Sequence, residues 1–208
     1  MSDLSLMRVG PTYGGSGTAS PFRGDITGAQ IVSDAHGRYA EASRRGSLFI
    51  AHNTAAQAVS VALATVYTGL CISNPLGSKV NLELVGAGFC LTVAPAAIAS
   101  LHIIGGASPN TQVVHTTPLA APGIQSMPLG NQAKSSANAD AAATIPTPGY
   151  IWPLKGGFTA AALPAPAVEW VDVAGIITVG PGGFVCIGAL TAVTGFGAFA
   201  WEEVPILA

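Results

Sequence analysis

Short apolar runs separated by turn residues recur from Ser47 to the end of the chain. They follow one another about every 8 to 12 positions, the spacing of strands in a sandwich or barrel. Within KVNLELVG, Val80, Leu82 and Leu84 alternate with polar residues, which is typical of a strand with one buried face. The predicted strands are SLFIAH, AVSVAL, GLCISN, VNLELVG, FCLTVA, LHIIGG, GGFTAAAL, AVEWVDVAGIITV, GGFVCIGAL and GFGAFAWEEV. This pattern predicts an all-β domain over 47–208, an antiparallel β-sandwich of jelly-roll type.

Residues 1–46 are predicted to form an extended N-terminal arm followed by one short helix. The first part is dense in Gly, Pro, Ser and Thr and has no sustained period, which is typical of an arm on a neighbouring subunit or of a disordered terminus. A helix is predicted after Ser33 or Asp34, either of which is a good N-cap. Glu41 and Arg45 have the spacing of a helical ion pair, and Gly46 suits the position after the last turn.

Residues 107–148 are rich in Ala, Ser, Asn and Pro and lack a clear apolar period. They are predicted to form one long loop within the sandwich. A loop of this length is usually functional or mobile. A short helix is the alternative over 132–143, which contain neither Pro nor Gly.

The chain is poor in charge. Apolar residues make up 50% of it and charged residues 9%, against about 25% charged in ordinary globular proteins. So few ionised groups do not cover the surface of a soluble monomer of this size, which favours burial of the exterior in an assembly. A surface of Gly, Ala, Ser and Thr is the alternative interpretation.

The charge balance and the apolar runs also bear on partners. The formal net charge of -2 predicts no binding to nucleic acid. The longest apolar stretch, residues 58–72, is too short to span a bilayer, and the N-terminus lacks the pattern of a cleaved secretory signal. We therefore expect synthesis in the cytoplasm and no membrane segment.

No catalytic, cofactor-binding or metal-ligating set is predicted. Gly195, Gly197 and Ala200 spell a dinucleotide-binding turn, but too few residues follow for the helix that would hold the pyrophosphate. The four histidines and three cysteines stand singly, without the spacing of a zinc site or a disulfide framework. The cysteines are expected to be buried, reduced thiols. A small hydrolase remains a rival hypothesis that no motif supports.

The adjacent glutamates near the C-terminus suggest a surface contact. Glu202 and Glu203 are adjacent, so on a strand they point to opposite faces and do not form a catalytic pair. They mark the end of a buried strand or meet a basic group on a neighbouring subunit, for which Arg44 and Arg45 are candidates.

The tryptophans at 152, 170 and 201 are either packing residues or a sugar-stacking platform.

Three stretches resemble a family. GRYAEASRRGSLFIAHN, CISNPLGSKVNLEL and the ending from GGFVCIGALTA to FAWEEVPI are similar to a group of tailed-bacteriophage virion structural proteins. The resemblance covers residues 34–208. It implies a jelly-roll-like β-domain that assembles as a trimer on the particle, as a head-decoration or fibre-type component, and it implies no catalytic residues.

The expected function is therefore a non-enzymatic structural virion protein of the capsid decoration or cement type. Its expected partners are copies of itself, as a homotrimer, and the major capsid protein or other virion proteins. The alternative is a tail or fibre component that binds a host receptor or glycan, for which an exposed Trp152 or Trp170 is the distinguishing feature. The predicted docking residues are Arg38, Tyr39, Arg44, Arg45, Trp201, Glu202 and Glu203.

Overall fold

The computed structural model describes residues 7–8, 19–20, 38–120, 123–129, 133–158 and 168–206. The chain divides into two compact units, Met1–Arg38 and Tyr39–Ala208. In the first unit, strands β1 (Met7–Arg8) and β2 (Ala19–Ser20) pair antiparallel. The rest of the predicted arm, including the proposed helix caps at 33 and 34, lies outside the described residues.

The predicted short helix is confirmed as α1, Ala40–Arg45. It begins after Tyr39 and is therefore shorter than the sequence pattern indicated. Gly46 ends it in the left-handed conformation with φ 72°, as predicted, and its N–H donates to the Ser43 carbonyl at 2.9 Å. Contacts group α1 with the sandwich, whereas the sequence grouped it with the arm.

The second unit is almost entirely β. Its strands are β3 (Leu48–His52), β4 (Gln57–Val59), β5 (Val66–Ser73), β6 (Val80–Val93), β7 (Ala99–Ala107), β8 (Val114–Pro118), β9 (Ile124–Ser126), β10 (Asn138–Thr144), β11 (Gly149–Phe158), β12 (Val168–Asp172), β13 (Thr178–Val179), β14 (Gly183–Ala189) and β15 (Val193–Pro205).

These strands form two packed antiparallel sheets. The first has the order β11-β7-β14-β5-β10-β8, and the second has the order β12-β6-β15-β3-β9, with β13 paired to β6 and β4 to β15. The predicted all-β antiparallel sandwich is confirmed, and the jelly-roll type stays a prediction.

The core lies between the sheets. Leu70 and Ile187 of the first sheet reach Gly197 of the second, where a Cβ would stand 2.8 Å from Ile187 Cδ1 and 3.2 Å from Leu70 Cβ. Phe49 and Trp201, both buried, stack with ring centroids 6.2 Å apart. Burial of such aromatic and branched side chains is the main stabilising term of the sandwich.

The prediction of one structureless loop over 107–148 is wrong for the described residues. Strands β8, β9 and β10 lie there, and β10 pairs with β5 on one side and β8 on the other. The helix predicted over 132–143 is also wrong in its described part. Alanine favours helices locally, but Ala139, Ala141 and Ala143 are buried in the sheet, so tertiary pairing overrides their propensity.

Strand β6 changes its phase at Val85. Leu82 and Leu84 are fully buried, as the alternation predicted. Ala200 then pairs with Gly86 and Trp201 with Leu84, which leaves Val85 as an extra residue without a ladder partner on β15, a β-bulge. Beyond the bulge the odd positions Ala87, Phe89 and Leu91 are buried, and the even positions face outward.

Candidate functional site

Trp170 lies flat on the outer face of β6. It is the partner of Gly88 across the β12–β6 ladder. A Cβ at Gly86 would stand 2.5 Å from Trp170 Cζ2, and one at Gly88 would stand 2.5 Å from Cε3. Only glycine at both positions lets the indole approach the backbone this closely. One side of the ring is covered by the strand, and the residue remains 50% exposed.

A cavity of about 470 Å³ opens beside this ring. We call it the Trp170 groove and define it by His52, Thr54, Cys90, Trp170 and Phe196, which line it together with backbone of β6 and β15. Phe196 is the ladder partner of Cys90, so its ring stands on the same outer face. The groove therefore presents two exposed aromatic side chains to solvent.

The rim of the groove opposite Trp170 is fixed by Asn53. This buried amide accepts a hydrogen bond from Gly197 N–H at 2.8 Å and donates to Gln57 Oε1 at 2.6 Å. His52 Nδ1 donates to the Asn53 carbonyl at 2.8 Å. Because a carbonyl only accepts, Nδ1 carries the hydrogen, and Nε2 of the neutral ring is an acceptor. Thr54 adds an exposed hydroxyl.

Among the described residues that line the groove, Glu169 is the only Asp, Glu, Lys or Arg. Lys155 Nζ donates to its Oε2 at 2.6 Å. Lys155 belongs to β11 and Glu169 to β12, so this ion pair joins the edges of the two sheets. The charge of the carboxylate is thus matched within the chain, and the groove is close to neutral.

A second cavity, of about 460 Å³, is lined by His115 and Asn138 among apolar residues. His115 Nδ1 lies 2.8 Å from Oδ2 of the fully buried Asp140, and Asn138 Nδ2 donates to His115 Nε2 at 3.2 Å. Burial raises the pKa of the Asp140 carboxyl, while the hydrogen bond and charge of His115 lower it by a smaller amount.

This pair has the form of an acid–base dyad, but no nucleophile lies beside it among the described residues. The described lining of the cavity contains no Ser, Thr or Cys, and His115 Nε2 already accepts from Asn138. Nearby, Cys71 and Cys186 are ladder partners and both are buried. Burial raises the pKa of the Cys186 thiol well above its usual range, so the thiol stays protonated. The arrangement therefore supplies no activated nucleophile.

The sequence patterns predicted neither of the two cavities. His115 and Asp140 stand 25 residues apart, and Asp140 lies in the segment predicted as a loop. The sequence predicts Trp152 and Trp170 equally as a sugar-stacking surface, but only Trp170 is exposed, whereas Trp152 is half-buried and packs against the core. The signal available for the groove is the Gly-x-Gly pattern at Gly86 and Gly88, within a strand otherwise rich in large residues.

The prediction that Trp201 is a docking residue is wrong. Its side chain is 0% exposed and packs in the core, so it does not contact a partner. Trp201 follows the buried Phe199 by two residues on β15, so both side chains point into the core although a charged pair follows directly. Among the other predicted docking residues, Arg38 and Arg44 are exposed and Tyr39 is half-buried.

The two glutamates point to opposite sides, as predicted, and each has partners within its own chain. Glu202 Oε1 lies 3.9 Å from Arg45 Nη2 and accepts from Ser47 Oγ at 3.3 Å. Glu203 Oε1 accepts from Ser135 Oγ at 2.5 Å and from the backbone N–H that follows it at 2.7 Å. The predicted partnership of Arg45 with a glutamate is therefore intramolecular.

In the part of the chain that the structure describes, no three His, Cys, Asp or Glu side chains are grouped so as to hold a metal ion. No described helix has the length and apolar character needed to cross a membrane.

Comparisons of the chain with protein-family models, with curated proteins and with solved structures found no match.

Proposed function

We propose that this protein is a non-enzymatic structural subunit that assembles with copies of itself as part of a tailed-phage virion, as a capsid decoration or cement-type component. The observation that carries the proposal is the exposure of large apolar side chains. Sixteen of them are exposed among the described residues, in a chain with only eight basic and ten acidic residues. Where such side chains are contiguous, the exposed apolar surface marks a site of association.

One group of these residues lies at an end of the sandwich. Val61, Ile98 and Leu190 are all exposed. Val61 bridges to Ala189, and Thr191 Oγ1 donates to the Ile98 carbonyl at 3.1 Å, so both residues lie close to Leu190. We call these three residues the apolar end. Its burial would contribute about 25 cal/mol for each Å² removed from water.

A second group lies on the first sheet. Thr144 pairs with Val66 on one side and with Val114 on the other, so the two valines flank it on the same face. They are 74% and 59% exposed. A sheet face with two such residues in one row supports a contact with another protein surface.

The virion part of the proposal rests on the resemblance of residues 34–208 to phage structural proteins. Within it, the cationic side chains of Arg38 and Arg44 are exposed. Charges at the rim of an interface steer association and fix register more than they raise affinity. They are therefore proposed to orient the subunit on the head.

The test of self-association is the mass of the purified chain by size-exclusion chromatography with light scattering. We expect a trimer. Ile98→Glu combined with Leu190→Glu should dissociate it, because carboxylates at the apolar end are desolvated on association. Leu129→Glu is the matched control, since Leu129 is 86% exposed and lies outside the apolar end. A monomeric wild-type chain would contradict the proposal.

The test of the virion assignment uses particles of the phage that encodes the chain. Arg38→Glu with Arg44→Glu should retain the wild-type mass in solution and bind particles at least about tenfold more weakly. Equal binding of wild type and variant would rule out docking through these residues.

A further inference from the structure

The Trp170 groove has features that packing within the chain does not require. The indole covers Gly86 and Gly88 with one face, and this contact stabilises the edge of the second sheet. The opposite face of the ring is turned away from the strand, and the residue is 50% exposed. A rigid aromatic face held flat at the wall of a cavity is a platform on which a ligand can stack.

The second aromatic residue lies within the same cavity. Phe196 is exposed and stands beside Cys90, two residues along β6 from the end of the glycine pair. The volume of about 470 Å³ falls within the range of small-ligand sites, which is about 300–1,000 Å³. The groove thus combines two aromatic surfaces with enough space for a short ligand.

The hydrogen-bonding side chains of the groove lie on the rim opposite Trp170. His52 Nε2 is an acceptor because Nδ1 donates to the Asn53 carbonyl, and Thr54 offers a hydroxyl that both donates and accepts. The hydrogen bonds of Asn53 to Gly197 and Gln57 hold this rim in place. A ligand that stacks on Trp170 would meet hydrogen-bonding groups at its edge.

The charge of the groove selects the class of ligand. Glu169 is the only Asp, Glu, Lys or Arg in the described lining, and Lys155 Nζ donates to its Oε2 at 2.6 Å. No unmatched charge in the lining favours an anion or a cation. A neutral saccharide fits this arrangement, because its C–H face stacks on an aromatic ring while its hydroxyls bond to groups at the ring's edge.

We propose that the Trp170 groove is a binding site for a short neutral oligosaccharide. Trp170 provides the stacking face, Phe196 the second apolar wall, and His52 and Thr54 the hydrogen-bonding rim. This activity is separate from self-association, since the apolar end and the row of Val66 and Val114 do not belong to the groove.

The experiment screens the full chain on an array of neutral and acidic oligosaccharides, followed by titration of tryptophan fluorescence with the neutral glycan bound most strongly. We expect saturable binding of at least one neutral glycan. Trp170→Ala should weaken it about tenfold or more. Thr54→Val, which keeps the side-chain shape, should weaken it about three- to tenfold.

Two further variants separate binding from folding. Gly88→Ala retains the tryptophan but places a methyl group where the ring lies, so it should also lose binding. Tyr150→Ala is the matched control, because Tyr150 is 47% exposed but lies on β11 of the other sheet. It should bind as wild type. Thermal melts of each variant confirm that the sandwich remains folded.

Three outcomes would overturn the proposal. The first is the absence of saturable binding to any neutral glycan on the array. The second is binding that Trp170→Ala and Gly88→Ala leave unchanged. The third is a loss of the trimer in Trp170→Ala without saccharide binding by wild type, which would assign the groove to a contact between subunits.

Discussion

The imidazole of His115 lies 2.8 Å from the carboxylate of Asp140, which has no exposed surface. Only Oδ2 has this partner, and Oδ1 is buried without a hydrogen bond among the described residues. A carboxylate with one unsatisfied oxygen is costly to keep ionised, and burial accordingly raises the pKa of Asp140.

This raised pKa predicts a pH dependence of stability. The folded chain holds the Asp140 proton more tightly than the unfolded chain, so the resulting stabilisation is complete below the usual aspartate pKa. It is lost as the pH rises through the raised pKa. Asp140→Asn carries no titrating proton, so the free energy of unfolding of wild type relative to the variant should rise as the pH falls. Urea unfolding between about pH 3 and pH 7 measures this difference. Parallel curves for the two proteins would show that Asp140 does not titrate differently on folding.

Gly195→Ala should destabilise the sandwich by about 1–3 kcal/mol or more. A Cβ at this position would collide with the backbone carbonyl of Cys90, and it would stand 2.7 Å from Phe89 Cε1. Backbone does not move aside as a flexible side chain does. Gly77→Ala is the control, since a Cβ there meets nothing within 4 Å. Chemical denaturation of both variants should separate them clearly, and equal stabilities would contradict the close approach of β6 and β15.

Trp201→Ala should cost about 3–5 kcal/mol of stability, because a large core side chain leaves a cavity. Trp201→Phe should cost less, because it leaves a smaller cavity. The indole Nε1 is buried without an acceptor in the described part of the chain, and phenylalanine removes this unsatisfied group while keeping the stacking on Phe49. If Trp201→Ala instead kept its stability and changed only the association of subunits, the assignment of Trp201 to the core would fail.

The three thiols should react at different rates with a thiol-specific reagent. Cys90 is half-buried in the Trp170 groove, whereas Cys71 and Cys186 are fully buried. Burial also raises the pKa of Cys186, which lowers its thiolate fraction. We expect one fast equivalent in the native protein and the remainder after unfolding, measured by absorbance and by mass spectrometry. Cys90→Ala should abolish the fast phase, and a fast phase that persists would contradict the assignment.

The sandwich was predictable because its signals are local. The alternation at Val80, Leu82 and Leu84 and the turn chemistry between strands need no knowledge of distant residues. The helix that ends at Gly46 was predictable for the same reason. Its start at Ala40 was not, because the first turn lacks a side-chain cap.

The parts of the fold and of the two cavities that the sequence did not predict depend on pairing between distant segments. The local sequence of β10 favours a loop or a helix, and it forms a strand because β5 and β8 pair with it. The partnership of His115 with Asp140 exists only because β8 and β10 are adjacent. The position of Trp170 depends on which residues of β6 lie opposite it, and that register is set by pairing between segments that are distant in the sequence.

The single extra residue at Val85 divides β6 into two segments with independent patterns. Before it, the strand contributes Leu82 and Leu84 to the interior, and after it the glycines form the floor beneath Trp170. Deleting that residue would turn the second segment over and send Phe89 into solvent. The insertion thus lets one strand send apolar side chains into the core on both sides of the bulge while its glycines support Trp170 on the outer face.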